Sequence, residues 1–127
     1  MRRFKFHDYY NRLGGEGVVF GNNGPVVVLM ATGEIVMHTS SFRIFEETCP
    51  HEIEWIDEQS TEQHRHCALG KTRDATLDKT IVYSETEPKY LILGESVFEH
   101  TGEKTYRLVG EKMSYRNGMF MYYKIND

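Results

Sequence analysis

Along the last third of the chain, apolar residues fall on alternate positions in three short runs, Tyr106–Val109, Lys112–Arg116 and Met119–Tyr123. Gly110-Glu111 and Asn117-Gly118 separate them, and both are dipeptides suited to two-residue β-turns. Such turns would pair Val109 with Lys112 and Leu108 with Met113, and would set Arg116 opposite Met119 and Tyr115 opposite Phe120. One face of the resulting meander is then Tyr106, Leu108, Met113, Tyr115, Phe120 and Tyr122, without a polar interruption. The other face mixes Val109, Met119, Met121 and Tyr123 with Arg107, Lys112, Ser114 and Arg116. A half-apolar outer surface of that kind suits a subunit contact.

The same period-two pattern runs back through most of the chain. Val26–Met30 and Ile35–Thr39, joined by Ala31-Thr32-Gly33-Glu34, form the most apolar predicted hairpin, with Val28 opposite Met37 and Leu29 opposite Val36. Both faces of its first strand are apolar, so that strand is expected to lie centrally, covered on both sides or held in a subunit contact. Phe42–Phe45, Glu52–Ile56, Thr80–Ser84, Lys89–Leu93 and Val97–His100 continue the strand pattern. Phe4 and Phe6 alternate with Lys5 as the start of a strand, whereas His7–Arg12 equally suits one helical turn, and the glycines at 14, 15 and 17 read as a break before Val18. Only the segment 57–78 lacks alternation. A short helix starting at Ser60, with Gln63 completing a capping box and Gly70 as its stop, is the expectation there.

The predicted fold class is therefore all-β: a single-domain antiparallel meander spanning residues 1–127, closed or partly closed as a barrel, with at most one or two short helices. Length agrees, since 127 residues suit one core. Composition agrees too, because eight Tyr and seven Phe against one Trp favour strands.

Charge narrows the partners. A formal net charge of −4 and a pI of about 5.9 offer no basic field for a polyanion, so nucleic acid is not an expected partner. No apolar run reaches the ~18 residues of a spanning helix. The opening Met1-Arg2-Arg3-Phe4-Lys5 has no apolar core of a secretory signal behind it, which makes a cytoplasmic protein with no membrane partner the expectation.

Candidate chemistry is sparse. Cys49-Pro50-His51 and His64-Arg65-His66-Cys67 bring together zinc-binding residue types, making Cys49, His51, His64, His66 and Cys67 the candidate ligands. Neither cluster has the spacing of a closed zinc site, so no metal and no cofactor are expected. Two unpaired cysteines are the leading reading, with a Cys49–Cys67 disulfide as an alternative. His38 beside Ser40-Ser41 fixes no catalytic acid, and Gly14-Gly15-Glu16-Gly17 lacks the Lys-Ser/Thr of a phosphate loop. No catalytic residue is assigned.

The run Glu103–Met113 contains Tyr106-x-Leu108-x-Gly110-x-x-Met113, and Asn117-Gly118 and an aromatic final strand follow it. Residues 103–125 thereby resemble the closing strands of lipocalin-like (calycin) β-barrels. That resemblance implies a barrel holding a small apolar ligand, with Tyr106, Leu108, Met113, Tyr115, Phe120 and Tyr122 lining the cavity. That barrel is the alternative to the leading reading, a non-catalytic interaction or structural subunit expected as a homo-oligomer and most simply a dimer; a metal-dependent enzyme using the Cys/His cluster is the second alternative.

Overall fold

The computed structural model describes residues 1–7, 14–48, 52–58, 61–73, 79–113 and 119–125. The all-β expectation holds: among the described residues, two antiparallel sheets and one short helix make up the regular structure. No helix among the described residues is long and apolar enough to cross a membrane. The chain divides into two compact units, Met1–Gln59 and Ser60–Asp127.

The first unit holds β1 (Arg2–His7), β2 (Gly14–Val19), β3 (Val26–Met30), β4 (Ile35–Thr39), α1 (Phe42–Thr48) and β5 (Glu52–Glu58). Its five-stranded sheet runs β4-β3-β2-β1-β5. Alternation places Phe4, Phe6, Val19, Val26 and Val28 on one face, and Phe45 of α1 completes this buried cluster. Each such side chain contributes about 1.5–3 kcal/mol through the apolar area it removes from water. Val27, on the opposite face, is also fully buried, as the doubly apolar pattern of β3 requires.

Three sequence expectations change here. Phe42–Phe45 is helical rather than extended. The Ser41 hydroxyl accepts a hydrogen bond from the Ile44 N–H at 3.2 Å, capping α1, and Phe42 and Phe45 turn onto the sheet. The glycines at 14, 15 and 17 lie inside β2 instead of breaking the chain. Gly17 faces Phe4 directly across the pair, and the Phe4 ring occupies the space a Cβ would need. In the β3–β4 hairpin, Val28 pairs with Met37 as expected, but a bulge makes Leu29 the partner of Ile35, leaving Val36 as the extra residue.

The second unit contains β6 (Thr61–Leu69), β7 (Lys71–Arg73), β8 (Lys79–Ser84), β9 (Glu87–Leu93), β10 (Ser96–His100), β11 (Tyr106–Lys112) and β12 (Met119–Ile125). Its sheet runs β6-β12-β11-β10-β9-β8-β7. Two tight turns drive the central meander: Glu85-Thr86, where Glu85 has φ 57°, and Gly94-Glu95, where Gly94 has φ 57°. A positive φ at the first turn position matches the twist of the flanking strands.

Both edges of this sheet come from one stretch of chain, because only Gly70 separates β6 from β7. On a flat sheet these edges would stand about 29 Å apart, six strand spacings. Leu69 and Lys71, however, are neighbours but one and reach at most about 7 Å. The sheet must curl until its edges meet at Gly70, which is the geometry of a half-barrel. A Cβ at Gly70 would stand 1.9 Å from the Tyr83 carbonyl oxygen, so the corner depends on glycine. The segment expected as a polar helix is thus the edge strand β6. Long-range pairing with β12 decided its conformation, and alternation within the segment gave no sign of it.

A second correction falls at Gly110-Glu111. These residues lie within β11, and the predicted two-residue turn is absent. Gly110 is extended and pairs with Val97 on one side and Lys124 on the other. A Cβ there would meet the Tyr123 carbonyl oxygen at 2.0 Å, so the glycine permits close strand approach instead of reversing the chain. The predicted Asn117-Gly118 turn lies outside the described residues.

Candidate functional site

The curled sheet gathers one buried group on a single side: Val82 of β8, Tyr90 and Ile92 of β9, Val97 of β10, and Phe120 and Tyr122 of β12. Tyr90 and Tyr122 sit three strands apart, about 14 Å on a flat sheet. Their ring centroids are only 5.8 Å apart, and Tyr90 lies 6.4 Å from Phe120. Side chains that converge in this way mark the concave side of the curl.

Polar atoms enter this apolar group in one row. Val82 pairs with Tyr90, Tyr90 with Glu99, and Glu99 with Arg107, so four adjacent strands each present one of these residues to the same side. Glu99 and Arg107 form an ion pair at 3.4 Å, with Arg107 the more exposed partner. Burial pushes the Tyr90 phenol up to about 12, with further upward contributions from Tyr122, including a hydrogen bond to it, and from the Glu99 charge. At neutral pH the phenol therefore keeps its proton. It can serve as a hydrogen-bond donor and is badly placed to be a base or nucleophile.

The six residues expected to share one ligand-lining face are divided by the structure. Phe120 and Tyr122 are on the concave side. Leu108 pairs with Phe98 and Tyr106 with His100, on the opposite side of β10 from Val97. The His100 and Tyr106 rings meet there at 4.5 Å. A bulge in the β10–β11 pair causes the division: Val109 is the extra residue, and positions on either side of it change face. Met113 is half-buried just beyond β11, its N–H donating to the Met121 carbonyl at 3.1 Å, and Tyr115 lies outside the described residues. Val82, Tyr90, Ile92 and Val97 complete the group without having been singled out. Their only sequence signal was membership of strands apolar on both faces, which cannot say which face points inward.

The Cys/His residues are partly placed. Cys49 and His51 lie outside the described residues. His64, His66 and Cys67 all belong to β6, where His66 pairs with Tyr122 and Cys67 with Met121. Among the described residues no group of three or more His, Cys, Asp or Glu side chains could hold a metal ion.

A separate aromatic group lies in the first unit. Phe4 contacts Phe42, Phe45 and Trp55 at centroid distances of 5.9, 5.3 and 5.5 Å, and Phe42 meets Trp55 at 5.3 Å. Trp55 remains 41% exposed, with the Arg2 guanidinium 4.0 Å from its ring centroid. This is an anchored indole with one accessible edge and a cation beside it.

No protein-family model, curated protein or solved structure matches this chain.

Proposed function

We propose that the protein is a non-catalytic β protein acting as an interaction or structural subunit. One observation carries this reading. Among the residues whose side chains are described, Phe20, Val36, Ile44 and Trp55 stand out into solvent, and all lie in Met1–Gln59. Scattered exposed hydrophobics are ordinary, and Val36 and Trp55 stand on opposite outer strands of the sheet, so each is a separate contact point. Trp55 adds to this, since a Trp held rigidly beside an Arg is the side-chain combination that dominates interface energetics.

A second reading, a small-molecule-binding barrel as the lipocalin-like resemblance implies, draws on the Tyr90–Tyr122 pair inside the half-barrel. Its phenols are the polar groups with which an apolar ligand would be oriented. Native mass spectrometry of the purified chain separates the two. The subunit reading expects an oligomer free of small molecules. A monomer that retains a stoichiometric small molecule would replace it with the barrel reading.

A further inference from the structure

The first sheet has two outer strands, and they differ sharply in charge. β5 carries four acidic residues in seven positions, Glu52, Glu54, Asp57 and Glu58. Every antiparallel pairing of β5 with its own copy over five or more residues sets an acidic residue opposite an acidic one, which is a recognised way of guarding an open edge. β4 has no charged guard, although it does carry the bulge at Val36. Ile35, Val36, Met37, His38 and Thr39 include no Asp, Glu, Lys, Arg or Pro, and among the described residues this strand pairs only with β3. Val36 is 41% exposed on it.

Resting on the subunit reading, we infer that β4 is the edge along which a second copy of this chain pairs, antiparallel about a two-fold axis. Every antiparallel register of β4 against itself sets uncharged residues opposite uncharged residues, so no like-charge repulsion opposes it. Outward-directed N–H and C=O groups on alternate residues gain partners, and the two five-stranded sheets become one of ten strands. The arrangement is isologous and therefore closes at two copies. The acidic β5 edges then lie at the two ends of the joined sheet, where they stop further strand addition. A basic extended peptide on β5 is the competing use of an edge in this sheet, and it would leave the chain alone in solution.

The test compares the wild-type chain with Val36→Lys and Val36→Thr, with light scattering from about 1 to 100 µM to cover micromolar self-affinity. Val36 is exposed, so neither substitution disturbs the core, and far-ultraviolet circular dichroism checks that both variants fold. We expect a wild-type dimer, a Val36→Thr dimer of similar affinity, and a dissociation constant raised about tenfold or more by Val36→Lys. Hydrogen exchange on the wild-type chain should show β4 amides protected at high concentration and exposed on dilution. A dimer indifferent to Val36→Lys, with unprotected β4 amides, would overturn the β4 assignment and leave the subunit reading standing. A wild-type monomer at every concentration overturns the dimer and counts against the subunit reading with it, and a retained small molecule would put the barrel reading in its place.

Discussion

Replacing Gly17 by alanine tests how the first unit is packed. Gly17 lies directly opposite Phe4, and a Cβ there would stand 2.0 Å from Phe4 Cζ and 2.3 and 2.5 Å from Cε2 and Cε1. Ordinary contact begins near 3.4 Å, so the ring must retreat by more than an ångström. It has nowhere to go, being fully buried against Phe42, Phe45 and Trp55. Overpacking of this kind costs about 1–3 kcal/mol, and so deep an overlap belongs near the top of that range. Alanine also stiffens the unfolded chain, which returns about 0.4–1 kcal/mol. The net expectation is a loss of about 2 kcal/mol, or a fall of about 1 M in the urea midpoint. Trp55 is the single tryptophan and touches Phe4, so its fluorescence reports unfolding of this unit. In a Phe4→Leu background the colliding ring atoms are gone, and the same Gly17→Ala change should cost less by about 0.5–3 kcal/mol of coupling. A neutral or stabilising Gly17→Ala, or equal costs in both backgrounds, would refute the packing argument.

Other consequences can be checked in the same way. The native chain holds the Tyr90 proton up to about 12 while the unfolded chain releases it near 10.0, so stability contributed by this group is complete below pH 10 and lost as pH rises from there towards 12. Tyr90→Phe should cost about 1 kcal/mol at neutral pH and flatten that alkaline loss; an unchanged slope in denaturation curves would contradict the assignment. Ser41→Ala removes the cap of α1 and should lower stability by about 0.5–2 kcal/mol, read from the Trp55 transition. Gly70→Ala forces the β6–β7 corner away from the Tyr83 carbonyl, and loss of hydrogen-exchange protection in both β7 and β8 is the expected readout. Full protection in both strands would show that the corner tolerates a side chain.

Much of the strand content was legible in the residues because alternation is a local property. Val26–Met30, Ile35–Thr39, Thr80–Ser84, Lys89–Leu93 and Val97–His100 all correspond to observed strands, and the buried Val26, Val27 and Val28 match the doubly apolar reading of β3. Elements shaped by distant partners were misread. β6 has no apolar period of its own and is extended through its ladder with β12. Gly17 and Gly110 looked like breaks because glycine leaves a turn and a close strand approach indistinguishable until the group it approaches, the Phe4 ring or the Tyr123 carbonyl, is known.

The candidate site shows the same division at finer scale. Alternating side chains told which residues within one strand share a side, so Phe120 and Tyr122 remained together. A single extra residue, Val109, was enough to send Leu108 and Tyr106 to the other side, since each one-residue shift exchanges the faces of a strand. The gathering of Tyr90 with Tyr122 belongs to curvature alone. Three strand spacings separate them, and only a sheet whose edges meet at Gly70 brings their rings to 5.8 Å. Local sequence thus determined that the chain forms paired, half-apolar strands, because a two-residue period needs no distant information. Bulges, edge closure and long-range register decided which side chains meet, because these depend on hydrogen-bond partners far away along the chain.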